Sequence, residues 1–375
     1  MKSRVLSICL IAPPKHGSSH SSTTMYVSEL ARGLASRGNT VHILTTPLSD
    51  TTLYQNSSVF VHTLEGITPH CSLRRFVNAA RKTYNKLNTA IDIVHCVDIP
   101  SKDITGEKKA AVTTLLSPHI TAQPPHFFYS LFSQNERNAR RIISGSDTLI
   151  TLSASLRRHI LRHCRIPVCF IPGGYAQRNT LFKNAEQNSA FDTTIVLSLI
   201  PDYSPAIMKR IISSWQLISV KKARLLILTN RKNIRLAQRL ANTAQNEENR
   251  ISVYDIGMLE STDFPATVTA AVIHVKYPFD WIGEIPLLLS AGIPIIGIGE
   301  KSLAEYIGDA GVFCRDNPAD IADTIRYLMD ETESRFFLRC KAKERVKHFF
   351  SVENMIKQTL ALYWDILKHT RHHNR

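Results

Sequence analysis

Short apolar runs rich in β-branched residues alternate along the whole chain with stretches whose apolar positions recur every three to four residues. That alternation predicts parallel strands joined by crossover helices, an α/β fold. In the first half the runs predict strands at Arg4–Ala12, Thr40–Thr45, Val59–Thr63, Asp92–Cys96, Ala110–Leu115, Asp147–Thr151 and Pro167–Ile171. Helical periodicity falls between them at Thr23–Ser36, Leu73–Asn88 and Phe128–Ile143. Pro172-Gly173-Gly174 breaks the pattern, and a polar stretch runs on to Ser189. Strands resume at Thr193–Leu199, Arg224–Leu228, Ile251–Tyr254, Val272–Lys276 and Ile293–Gly297, each followed by a helix. Helical segments from Pro318 to Lys368 and a basic tail close the chain. The expected organisation is a basic first domain at 1–172, a linker at 173–190, a second domain at 191–350, and a segment 351–375 that crosses back to the first domain.

Length agrees with two domains, and 43% apolar residues among 375 give each a core, which excludes a disordered chain. Seven cysteines without a C-x-x-C pair point to free thiols in a reducing, cytoplasmic setting rather than to a disulfide framework or a zinc site. The apolar stretch ending at Ile11 is too short for an export signal, and no run approaches the roughly 18 apolar residues of a membrane span. A soluble or peripheral protein is expected.

Charge sharpens this picture. The net charge is +15, and residues 1–190 hold 22 Lys/Arg against 10 Asp/Glu, so the first half carries most of it. An anionic partner of that half is expected. No zinc-finger, RNP or helix-turn-helix pattern accompanies the charge, so nucleic acid is not. On Leu73–Asn88, Leu73, Phe76, Val77, Ala80, Tyr84 and Leu87 form one stripe, with Arg74, Arg75, Arg81, Lys82 and Lys86 opposite. Packing on a sheet accounts for the stripe. Five cations without an acid point further, to an anionic lipid or glycan acceptor or to peripheral docking on the inner face of a membrane.

Several segments, in order, resemble retaining glycosyltransferases of GT-B fold, the group typified by lipid mannosyltransferases and sucrose synthase. They are Ala12-Pro13-Pro14 with Tyr26–Gly38; Asp92-Ile93-Val94-His95; Ser146–Ser153; Phe170–Gly174; Ala291–Ile296; Ala304–Gly311; and Phe349-Phe350-Ser351. The resemblance implies two Rossmann-like parallel-sheet domains facing across a cleft. It implies transfer of a sugar from a nucleotide-sugar co-substrate, with retention and with no metal or other cofactor; no D-x-D or His/Asp cluster suggests one.

The same resemblance shows a donor site that is heavily altered. The family's glycine pair before the first helix is matched by Ser21-Ser22, its diphosphate-gripping Arg and Lys by Ser198 and Tyr203, and its sugar-side histidine by Leu116. Of two glutamates around a G-x-P turn, a first carboxylate remains as Glu284 or Asp280, and the second falls in an apolar run. A diphosphate leaving group needs donors aimed where charge develops. Either substitutes supply them or the protein is a catalytically silent scaffold that binds or modulates an active transferase. An isomerase of the same fold has no support beyond the fold itself.

Candidate substitutes are Arg231, Lys232 and Lys276 at strand ends, set against the plain reading of solvated charges. Glu284, next to Gly283, is a candidate for the sugar hydroxyls or merely a helix-start carboxylate. Glu305 is a candidate for the nucleotide. The loop Gly17–Thr23, with Gly17, Ser21 and Ser22, either cradles an anion or only caps a helix. Asp98 and His119 are candidates for acceptor contact, and His95 is either catalytic or a satisfied core histidine.

Overall fold

The structure, a computed structural model, describes residues 4–12, 22–46, 57–68, 71–87, 89–106, 110–115, 140–162, 164–175, 194–200, 205–218, 220, 223–229, 231–244, 250–256, 268–275, 284–299 and 301–373. They gather into two compact units, each with its own parallel sheet.

The first unit contains β1 (Ser7–Ile11), α1 (Ser22–Ala35), β2 (Thr40–Thr45), β3 (Val59–Thr63), α2 (Leu73–Asn85), β4 (Ile93–Val97), α3 (Lys102–Thr105), β5 (Ala110–Leu115), β6 (Thr148–Thr151), α4 (Ala154–Leu161) and β7 (Val168–Phe170). Among the described residues its sheet runs β3-β2-β1-β4-β5-β6-β7, all parallel. Both faces are covered, which is why its central strands read as unbroken apolar runs. Ile8, Leu10, Val41, Ile43 and Ile93 pack toward α1, whereas Cys9, Ile11, Leu44, Val94 and Cys96 pack toward α2.

The chain's last helix, α11 (Val352–His373), belongs to this unit and lies along α1. Two glycines let it approach. A Cβ on Gly33 would sit 2.4 Å from Ile356 Cγ1, and one on Gly174 would sit 2.5 Å from Val352 Cα. Tyr175 N–H donates to the Phe350 carbonyl at 2.8 Å beside that approach.

Local chemistry explains where elements begin and end. Asp92, expected inside a strand, precedes β4. It accepts from Arg4 Nη2 at 2.7 Å and from Ser7 N at 3.0 Å, while its own N–H donates to Ser7 O, so it pins β1 to β4. Ser72 caps α2 by accepting from Arg75 N. That helix stops at Asn85, three residues short of the expected end, because Lys86 N–H closes on Thr83 and Tyr84 ahead of the poor helix formers Asn88 and Thr89. The helix expected at Phe128–Ile143 falls mainly outside the described residues, as do the linker past Tyr175 and the end of the basic tail; residues 140–144 are helical.

The second unit contains β8 (Thr194–Ile200), α5 (Pro205–Gln216), β9 (Ala223–Thr229), α6 (Arg231–Ala244), β10 (Arg250–Asp255), β11 (Val268–Val275), α7 (Glu284–Ser290), β12 (Ile295–Gly299), α8 (Lys301–Ile307), β13 (Gly311–Cys314), α9 (Pro318–Asp330) and α10 (Thr332–Phe349). Its described strands run β10-β9-β8-β11-β12-β13, again all parallel. Val196, Met208, Ile211, Trp215, Leu225, Ile227, Val272 and Ile296 form its core. β11 starts at Val268, four residues earlier than expected. β12 starts two residues later than expected, after Pro294, which lacks an N–H but accepts from Ala271 N at 2.9 Å. β13 was not expected at all: four residues paired only to β12 carry no periodicity of their own.

Candidate functional site

In each unit the strand order reverses once, between β1 and β4 in the first sheet and between β8 and β11 in the second. Helices leave neighbouring strands there toward opposite faces and open a crevice beyond the carboxyl ends, the usual ligand position of such sheets.

At the first switch point stand the start of α1 and Asp98. Asp98 immediately follows β4, is 4% exposed, and has φ +53°, a left-handed conformation that is rare for a residue other than glycine. Such a backbone persists only where its surroundings impose it, and it is commonest at functional sites. α1 has no acidic residue in its first turn.

His95 lies inside the same strand, three residues back, and is fully buried. Its Nδ1 is 2.5 Å from the Tyr363 hydroxyl on α11, and Tyr26 of α1 meets its ring edge-on. Burial pushes the imidazole pKa down to about 3 and holds the Tyr363 phenol well above its ordinary value, so both are neutral. The pair ties β4 to α11. Tyr363 was missed from sequence because 268 residues separate it from His95.

On α2, Arg74, Arg75, Arg81, Lys82 and Lys86 are all exposed, while Phe76, Val77 and Ala80 are buried. Arg81 also donates to the Asp103 carbonyl of α3.

In the second unit, Glu284 opens α7 after β11, and Glu305 lies in α8 after β12; both are half-buried and both have hydrogen-bonding or electrostatic partners. β11 and β12 are hydrogen-bonded neighbours, so α7 and α8 are adjacent connections; Glu284 is the first residue of α7 and Glu305 the fifth of α8. Arg231 and Lys232 open α6 after β9. β9 lies two strands from β11, about 10 Å at the usual strand spacing. Arg345 of α10 supports α8 from its far end, donating to the Glu305 carbonyl and, at 3.1 Å, to that of Tyr306.

Two further groups stand near this switch point. Ser198 on β8, the position where the resemblance places a diphosphate-gripping Arg, is 1% exposed, and its hydroxyl has no hydrogen-bond partner among the described residues. Asp316 accepts from Arg210 of α5 and lies 3.3 Å from His274 Nε2 on β11, while His274 Nδ1 is buried without a partner. The trio comes from segments 42 to 106 residues apart.

Gly17, Ser21, His119, Lys276 and Gly283 fall outside the described residues, and of Ser22, Arg231 and Lys232 only the backbone is described. Among the described residues no group of His, Cys, Asp and Glu is arranged to hold a metal ion, and no helix is long and apolar enough to cross a membrane.

Residues 23–176 match the model of Glycosyltransferase Family 4. The chain finds no match among curated protein sequences. Among solved structures it is similar to a sucrose-phosphate synthase from Thermosynechococcus elongatus, at 16% identity and TM-score 0.73 over 97% of this chain and 100% of that one. It is similar to a glycosyltransferase from Rickettsia africae, at 16% identity and TM-score 0.70 over 97% and 99%. It is also similar to Anabaena HepE, solved in complex with UDP and glucose, at 13% identity and TM-score 0.70 over 94% and 98%. At these identities the likeness shows the fold, which is GT-B: two Rossmann-like domains, each an all-parallel sheet wrapped by helices.

Proposed function

We propose that this protein is a glycosyltransferase that moves a hexosyl group from a nucleotide-sugar to an anionic lipid or glycan acceptor, with retention and without a metal ion. The observation that carries this reading is Glu284 at the start of α7, the helix that follows β11 at the second switch point, with Glu305 on the adjacent connection. The family match over residues 23–176 supports it from the other unit. In this reading Glu284 accepts from the donor sugar hydroxyls and Glu305 from the nucleotide. Arg231 and Lys232 at the start of α6, together with Lys276, offset the charge that develops on the departing diphosphate. On the first unit, Asp98 takes the acceptor. His95, neutral and enclosed, supports that edge through Tyr363 rather than carrying a proton. The cations of α2 hold the acceptor's surface, and the protein works at the cytoplasmic face of a membrane.

A second reading has its own observation. Ser198, where the resemblance places a diphosphate-binding Arg, is a buried residue with an unbonded hydroxyl, so a silent scaffold remains in competition. Nucleotide binding separates the two. UDP-, GDP- and ADP-sugars are titrated into the full chain by calorimetry and thermal shift. A ligand at about 100 times its Kd adds about 2.7 kcal/mol to apparent stability. One nucleotide class should bind, and Glu284→Ala should weaken it by about 1.5–3 kcal/mol, the scale of a hydrogen bond to a charged group. Binding of none leaves the scaffold.

A further inference from the structure

α10 packs against the ends of α9 and α8 in the second unit. Arg335 Nη1 donates to the Leu328 and Met329 carbonyls at the end of α9, at 2.7 and 2.6 Å. Lys341 pairs with Asp309 at 3.5 Å, and Arg345 reaches the last carbonyls of α8. Leu338, Ala342 and Val346 fill the inward side. The outward side carries Phe336 and Phe337, 70% and 58% exposed, and Phe336 is the most exposed large apolar side chain among the described residues. Lys341 Nζ lies 5.8 Å from the centre of the Phe337 ring, and both rings remain exposed.

The exposed charges of this helix are mixed: Glu331 and Glu333 stand at its start, Arg339 beside Cys340, and Lys343, Glu344 and Lys347 follow, with the two phenylalanines between Glu333 and Lys343. Two copies laid antiparallel across a twofold axis would close the rings over one another and bring Glu333 of each within reach of the opposite Lys343.

Charge favours this occupant over others. The whole chain is +15, so copies repel over most of their surface, whereas residues 318–348 hold seven Lys/Arg against six Asp/Glu. Size agrees too. At about 200 Å² for each aromatic side chain, the exposed parts of two phenylalanines from each copy supply about 500 Å² of apolar surface. That is a fitting centre for an interface of roughly 1,600 Å².

We propose that the outward face of α10, centred on Phe336, Phe337 and Cys340, is a self-association surface that binds a second copy of this chain antiparallel.

The test is the mass of the full chain in solution, by sedimentation velocity across a range of concentrations at physiological salt. A particle of twice the chain mass is expected. Phe336→Glu with Phe337→Glu should weaken association by roughly a hundredfold or more, since buried aromatic anchors dominate such interfaces. Both rings are exposed, so unchanged circular dichroism is expected alongside. A charge exchange supplies a second measurement: Glu333→Lys should weaken the dimer, and adding Lys343→Glu and Lys347→Glu should restore it. A monomer at every concentration overturns the proposal, as does a dimer indifferent to the phenylalanine pair. A monomer that sediments with anionic vesicles through these rings overturns it as well and assigns the face to lipid.

Discussion

Replacing His95 by Phe tests whether the neutral imidazole is held by burial and by Tyr363, as the first unit's interior requires. His95 is fully buried, and its folded pKa is pushed down to about 3, against about 6.5 in an unfolded chain. Between these values the unfolded state binds a proton that the folded state refuses, so stability falls as pH falls. At 1.36 kcal/mol per pH unit, His95 costs the wild type about 2 kcal/mol between neutral pH and pH 5; any folded value below about 4 gives the same figure. The Phe variant cannot take up that proton. It instead leaves the Tyr363 hydroxyl buried without its partner, which costs about 1–3 kcal/mol at every pH. The variant should therefore be the less stable protein at pH 7 and lose its disadvantage near pH 5. His42 and His62, whose pKa values burial also lowers, titrate in the same direction in both proteins and cancel in the comparison. Two-unit chains need not unfold in one step, so stability should be read from hydrogen exchange at the β4 amides rather than from a single melting curve. Parallel pH profiles for the two proteins, or an imidazole titrating near 6.5 by NMR, would refute the argument.

Other expectations follow from single contacts. Gly174→Ala places a Cβ against the Val352 backbone and should destabilise the first unit by about 1–3 kcal/mol in urea unfolding, because no side-chain rotation relieves it. Asp98→Gly should be more stable than Asp98→Ala by about 1 kcal/mol, since both lack the carboxylate and only Ala meets the left-handed penalty; equal stabilities would show that the φ of +53° is not imposed. Thiol labelling of the native chain, followed by mass spectrometry, should modify exposed Cys340 first and leave Cys9 and Cys96 untouched until unfolding, because burial pushes both of those thiols up, Cys96 to about 12. Arg345→Met should loosen α8 and weaken binding of the nucleotide-sugar identified by titration, with little change when the readout is exchange at first-unit amides.

The central strands of the first unit, β1, β2 and β4, were legible because they are buried on both faces, so an apolar run and a strand coincide. Where expectation and structure part, a pairing rather than a propensity decides. Asp92 reads as the first residue of a strand, yet its carboxylate serves Arg4 and Ser7 across the β1–β4 junction. β13 exists because β12 offers an edge to four residues that show no pattern alone. Gly33, inside the helix expected at Thr23–Ser36, is the hollow that admits Ile356, more than 300 residues further on.

The candidate site was legible in kind and illegible in detail, for one physical reason. Motif reading sees residues that lie close in sequence, as Glu284 does with Gly283, and assigns them to a strand end. It does not see what tertiary packing assembles. His95 alone suggests proton chemistry, but the Tyr363 hydroxyl and full burial make it a neutral support. Ser198 read as a lost cation, and the structure adds that its hydroxyl is buried on β8 without a partner. Ser198 pairs with Val272 in register, and His274, two residues further along the same strand, also has a buried nitrogen without a partner. A cation removed from such a strand would have left compensating polar bonds or an apolar replacement if the surroundings had fully adapted. Instead two unbonded polar atoms sit on the adjacent strands that flank the second switch point. Buried groups of that kind each cost about 1–3 kcal/mol, so the second sheet carries that cost beside the edge that the donor would occupy.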